Sequence, residues 1–176
     1  MGKRSDFERM PWDFYPTPYK AVLPLLPHLP ETFTFAEPCA GDRRLIEHLQ
    51  KNGGYCNNAM DIEPQHKKVT KGNCLEHSFF RSDYIITNPP WNRKILHPMI
   101  DHFSDQRPTW LLFDSDWMHT KQSIPYLKML KKVVSIGRVK WIEGSTSVGK
   151  DNCCWYLFNK MHTDDIKFYG RTEWML

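Results

Sequence analysis

Apolar and polar positions along this chain fall into short blocks whose period changes from block to block. Phe33 to Ala36 is a compact apolar run, the pattern of a buried strand. Leu45, Ile46 and Leu49 follow at helical spacing within residues 43–51, and Asn52-Gly53-Gly54 stops that helix. Residues 55–61 predict a second, weaker strand and Val69-Thr70 a third. Tyr84 to Thr87 predicts a fourth strand, 95–103 a helix, and Trp110 to Phe113 a fifth strand. Residues 123–132 predict a helix with Pro125 in its first turn. Residues 133–141 and 154–158 predict a closing β-hairpin whose long connection, 142–152, is rich in Gly and Ser. Ahead of these, residues 1–14 form a polar arm with scattered aromatics. Thr17 is the expected N-cap of a short helix, with Pro18 in its first turn and Pro24 and Pro27 interrupting it.

Strands alternating with helices predict an α/β fold with a mostly parallel, doubly wound sheet, helices on both faces and an antiparallel C-terminal hairpin. The length, 176 residues, suits one domain with its own core, and no repeat or linker divides it. The net charge of +4 is too mild to define a class of partner. Seven Trp suit either a stacking surface or a dense core. Five Cys without a CxxC pair, and eight His outside metal-ligand spacing, predict reduced thiols and no metal. The first residues lack the apolar segment of a signal peptide, and no apolar run reaches membrane-spanning length, so a soluble cytoplasmic protein is expected.

In doubly wound sheets ligands bind outside the carboxyl ends of the strands, and the polar motifs sit just there. After the first strand comes Ala36-Glu37-Pro38-Cys39-Ala40-Gly41-Asp42, where small residues admit a ligand and acidic ones can take up an ammonium. Alone, this is also the pattern of an ordinary strand-to-helix turn. Asp61 ends the second strand, about 20 residues on, the separation at which an acid meets a ribose diol. After the fourth strand, Asn88-Pro89-Pro90-Trp91 carries the sharpest signal. Prolines stiffen this corner. The Asn88 amide oxygen and the Pro89 carbonyl can accept both protons of an aromatic amine, aiming its lone pair, while Trp91 stacks on the base.

At these residues the chain resembles the class I S-adenosylmethionine-dependent amino-methyltransferases, above all the phage and bacterial DNA adenine-N6 enzymes in which the cofactor motifs precede the catalytic one. Residues Asp13 to Pro18 resemble the segment that closes over the methionine end of the cofactor. Glu37 to Gly41 resembles the cofactor loop, Asp61 the ribose-binding acid, and Gly72-Asn73-Cys74-Leu75 the stretch contacting the cofactor adenine. The resemblance implies a Rossmann-like, seven-stranded class I methyltransferase fold that binds S-adenosylmethionine. The cofactor-binding set is Tyr15, Thr17, Pro18, Glu37, Pro38, Cys39, Ala40, Gly41, Asp61, Ile62, Asn73, Cys74 and Asn88. The catalytic set is Asn88, Pro89, Pro90 and Trp91. The implied substrate is double-stranded DNA with the target adenine flipped out, in a bacterial host and encoded by a phage or prophage.

Two positions depart from the family. Its loop reads Gly-x-Gly, where this chain has Gly41-Asp42-Arg43, and Asn73 stands where the family has Asp. No segment is long enough for a large target-recognition region. The residues expected to touch nucleic acid are Lys3, Arg4, Arg93, Lys94 and Lys150, which suit phosphates more than bases. Loose or very short sequence specificity is therefore expected, unless a homodimer or a specificity partner supplies more. Two rivals remain: the same chemistry on cytosine N4, RNA adenine or protein glutamine, and an inactive binding module, for which Arg43 in the cofactor loop speaks.

Overall fold

A computed structural model of the chain describes residues 14–142, 144, 149–161 and 165–172. Eight strands form one sheet: β1 (Phe33–Glu37), β2 (Gly54–Asp61), β3 (Thr70–Lys71), β4 (Tyr84–Thr87), β5 (Thr109–Asp114), β6 (Leu130–Arg138), β7 (Asn152–Phe158) and β8 (Lys167–Tyr169). Their order is β3-β2-β1-β4-β5-β7-β6-β8. Strands β1 to β5 pair in parallel, and β7 runs antiparallel between β5 and β6. The expected α/β architecture with its antiparallel hairpin is present, with eight strands instead of seven. The eighth, β8, pairs in parallel with β6 and keeps the hairpin from being the sheet edge. Its three exposed residues carry no apolar run that would mark it in the sequence.

Helices cover both faces. Helix α1 (Tyr19–Val22), which continues into a 3-10 turn over Leu23–His28, shares one face with α2 (Arg44–Gln50). Helix α3 (Arg93–Ser104) covers the other face, and α4 (Ile124–Leu127) precedes β6. The alternation of β5 explains the two cores. Trp110 and Leu112 join Leu45, Ile46 and Leu49 on one side, while Leu111 and Phe113 join Leu96, Ile100 and Phe103 on the other. Each such fully buried aliphatic or Phe side chain contributes roughly 1.5–3 kcal/mol. Trp110, Trp117 and Trp155 are fully buried, so aromatic richness here is largely core. Trp91 and Trp141 are only half-buried.

Several element boundaries moved. Pro18, not Thr17, is the N-cap of α1; it is extended, while Thr17 is buried. Asn92 caps α3 by accepting from the Lys94 N–H at 3.0 Å, so that helix starts two residues before Ile95. The helix expected over 123–132 is only the single turn of α4, because Leu130 already belongs to β6. There tertiary pairing with Phe158 prevails over local helical spacing.

Candidate cofactor and amine site

The chain runs from β1 outward through β2 and β3, then returns to β4 on the other side of β1. A cavity of about 690 Å³ opens at this switch point, outside the carboxyl ends of β1, β2 and β4. That volume suits a nucleoside-sized ligand.

The floor is the turn after β1. Gly41 has φ 46°, and a Cβ there would fall 2.8 Å from the Phe14 ring, so only glycine lets the N-terminal segment lie so close. The Gly41 N–H donates to Asp61 Oδ2 and the Glu63 N–H to Asp61 Oδ1, both at 2.8 Å. Two backbone donors thus fix the Asp61 carboxylate, whose remaining lone pairs can still accept hydroxyls. Ala40 N–H donates to the Met60 carbonyl at 2.8 Å, seating the loop on the end of β2. Arg43 is the N-cap of α2 at φ 74°, ψ 7°. This is the left-handed conformation that glycine takes at no steric cost, at the position where the expected Gly-x-Gly would have its second glycine.

Glu37 ends β1 only 2% exposed, and its Oε2 has no hydrogen-bond partner among the described residues. Burial holds its carboxyl well above the ordinary range; the nearby Asp61 and Asp42 add to this, and Arg43 opposes it. An unpartnered buried carboxyl in a cavity wall invites a cationic ligand group. The Asn73 amide oxygen accepts from the Leu75 N–H at 3.2 Å, and its nitrogen donates to Glu76 at 2.9 Å. It therefore caps a 3-10 turn while lining the cavity.

At the end of β4, Asn88 and Pro90 line the cavity, while Pro89 is buried and Trp91 lies outside its wall. The Asn88 Nδ2 donates to the Tyr15 carbonyl at 3.1 Å. A carbonyl only accepts, so this bond fixes the amide orientation and leaves Oδ1 as an acceptor. The Trp91 indole N–H donates to the Leu112 carbonyl at 3.2 Å. Its ring meets Trp141 at 5.8 Å and 78°, and Trp141 meets Tyr15 at 6.4 Å. Such an edge-to-face pair leaves no slot for a base between the two indoles.

Of the cofactor-binding residues expected from sequence, all but Pro18 line this one cavity: Tyr15, Thr17, Glu37, Pro38, Cys39, Ala40, Gly41, Asp61, Ile62, Asn73, Cys74 and Asn88. The structure adds, among others, Phe14, Leu45, Leu75, Asn92, Ile95 and Met99. Ile95 carried a signal in the sequence, an apolar residue in the first turn of the helix that follows the Asn88–Trp91 corner. Among the expected nucleic-acid contacts, Lys94 and Lys150 are exposed. Arg93 instead pairs with Asp114 at 2.7 Å, its side chain 27% exposed, and also donates to the Trp91 carbonyl at 3.4 Å. Lys3, Arg4 and Asp13 lie outside the described residues.

Sheet order, switch-point cavity and covering helices define the Rossmann-like class I methyltransferase fold. Solved structures similar to the chain include an RNA methyltransferase candidate from Pyrococcus horikoshii, 16% identical, with a TM-score of 0.56 over 85% of this chain and 87% of that one. A dimethyladenosine transferase from Plasmodium falciparum is 14% identical, with a TM-score of 0.54 over 84% and 63% of the two chains. The M protein of the type I restriction enzyme EcoKI is 11% identical, with a TM-score of 0.55 over 88% of this chain and 47% of that one. The chain thus spans about half the length of the type I subunit. No family model and no curated protein matches its sequence.

Proposed function

We propose that the chain is an S-adenosylmethionine-dependent methyltransferase acting on an exocyclic amino nitrogen, N6 of adenine in DNA, with loose or very short sequence specificity. The observation that carries this reading is Asn88, whose amide is locked by the Tyr15 carbonyl so that Oδ1 remains an acceptor at the cavity. When bound, S-adenosylmethionine supplies an electrophilic methyl group. Glu37 would hold its ammonium, Asp61 its ribose hydroxyls, and Ile62, Leu75 and Ile95 the faces of its adenine. The buried, unpartnered Glu37 oxygen supports this fit.

An aromatic amine is a weak nucleophile because its lone pair is delocalised into the ring. Asn88 Oδ1 accepts a hydrogen bond from one of its N–H groups, and the backbone carbonyl of the buried Pro89 is the proposed acceptor for the other; together they favour a pyramidal nitrogen and aim the lone pair. The protein's contribution is orientation and acceptance of developing positive charge. A flipped base stacks on one indole face, since Trp91 and Trp141 leave no gap between them. Lys94 and Lys150 meet phosphate, and Arg93 holds the corner through Asp114.

The likeness to one protein named as an RNA methyltransferase and another named as a restriction enzyme's M protein leaves the polymer as the point to test. DNA, RNA and protein are each incubated with enzyme and methyl-labelled cofactor, then digested and analysed by mass. N6-methyladenine from DNA is expected; label confined to RNA, cytosine or glutamine overturns the substrate. Replacing Asn88→Ala should lower turnover at least about a hundredfold while cofactor affinity, read by calorimetry, stays within about threefold. An undiminished rate removes Asn88 from the chemistry.

A further inference from the structure

Asn88 and Trp91 belong to one tetrapeptide, yet a second route joins them through space. The Trp91 indole N–H is fixed on the Leu112 carbonyl at 3.2 Å, and its ring meets Trp141 edge-to-face at 5.8 Å and 78°. Trp141 in turn meets Tyr15 at 6.4 Å and 61°, and the Tyr15 carbonyl accepts from Asn88 Nδ2 at 3.1 Å. These contacts close a ring that starts and ends on the corner after β4. Its far member, Trp141, comes from beyond the end of β6.

Trp141 has a prepared seat. The Gly149 N–H donates to the Val139 carbonyl at 2.8 Å, so the pairing of β6 with β7 continues past both strands. A Cβ at 149 would fall 2.8 Å from the Val139 carbonyl oxygen and 3.2 Å from the Trp141 ring. Only glycine lets the backbone lie so close to the indole. Tyr15 is in the opposite situation: residues 14–18 form neither helix nor strand, so no backbone ladder places its carbonyl. Side-chain packing has to do so, and the Tyr15 ring packs on Trp141.

We infer that Trp141 is a positioning residue for methyl transfer: it joins Tyr15 to Trp91 and so holds the Tyr15 carbonyl where it orients the Asn88 amide. The inference rests on the reading of Asn88 as acceptor for the target amine. Trp141 is outside the cavity lining, whereas Tyr15 and Asn88 are in it, so its effect passes through them. Loss of the indole frees the Tyr15 ring, its carbonyl drifts, and the Asn88 amide can rotate. Oδ1 then no longer stays on the amine, and a small misplacement of an orienting group slows transfer steeply.

The test compares the full chain with Trp141→Ala, Trp141→Phe and Gly149→Ala. Asparagine-labelled protein gives the Asn88 side-chain amide signals, identified by their loss in Asn88→Ala, and solvent-exchange NMR gives their rates. In Trp141→Ala we expect that exchange to quicken at least about tenfold. Turnover on DNA at saturating S-adenosylmethionine should fall at least about tenfold. Trp141→Phe keeps an aromatic ring on Tyr15 and should stay within about threefold of the parent in both. Gly149→Ala crowds the seat without removing the indole and should quicken exchange at least about threefold; it carries the test if Trp141→Ala does not fold. Lower turnover with Asn88 exchange unchanged overturns the inference and gives Trp141 a direct contact with the base. Unchanged exchange in Gly149→Ala, or a phenylalanine variant as impaired as the alanine one, also overturns it. If the parent methylates no polymer, the proposed function fails, while quickened exchange still supports the hold of Trp141 on the amide.

Discussion

Arg43 turns through φ 74° where side chains pay a steric penalty, and Glu37 is buried with an unpartnered oxygen; both strains lie in the same loop. Replacing Arg43→Gly should stabilise the protein by about 1 kcal/mol, read as a rise of the denaturant midpoint. A destabilised variant would show that the arginine charge matters more than the backbone. For Glu37 the folded state holds its proton above the ordinary value of 4.5, so folded protein binds more protons than unfolded. The slope of stability with pH is then negative: this group's contribution declines as pH rises from 4.5 through the raised folded value. Glu37→Gln should remove that decline, gaining on the parent in denaturation midpoint as pH rises from below ~4 to ~8. It should also weaken S-adenosylmethionine at least about tenfold by calorimetry.

Between elements, the corner joining β4 to α3 is held against the end of β5 from two sides. Trp91 donates to the Leu112 carbonyl, and Arg93 bridges the Trp91 carbonyl and Asp114. Asp114 also caps the following 3-10 turn through the Trp117 N–H at 3.0 Å, and its carbonyl accepts from the Tyr156 hydroxyl at 3.0 Å. Asp114→Asn keeps an oxygen for the cap and removes the ion pair. Turnover should fall about ten- to a hundredfold, while cofactor affinity and far-ultraviolet circular dichroism stay unchanged. A matched fall in affinity would place the clamp in general stability instead of in positioning. Arg93 was legible as a surface cation of the corner; its partner was not, because 21 residues separate it from Asp114.

Across the whole molecule, a buried bond ties α1, which follows the segment lining the cavity, to the sheet. Trp155 of β7 donates its indole N–H to the Ala21 carbonyl at 2.7 Å, across 134 residues of chain. Trp155→Phe leaves that carbonyl without its donor and should cost about 1–3 kcal/mol, lowering the melting temperature by roughly 2–12 °C for a domain of this size. Because α1 follows Tyr15, whose carbonyl orients Asn88, the same variant should lower turnover more than its stability loss explains at 25 °C. Turnover proportional only to the folded fraction would argue against that coupling.

The α/β class, five of the parallel strands and the three loop motifs are written in local sequence, because a buried strand needs a continuous apolar run and a ligand loop needs small or acidic residues straight after it. Strand β4 was legible to the residue, from Tyr84 to Thr87. The eighth strand, the early start of β6 and the engagement of Arg93 were decided by partners distant in sequence: β6 for Lys167–Tyr169, Phe158 for Leu130, and Asp114 for the guanidinium. The same holds for Asn88: its residue type stands in the sequence, but the orientation of its amide is set by the Tyr15 carbonyl, 73 residues away.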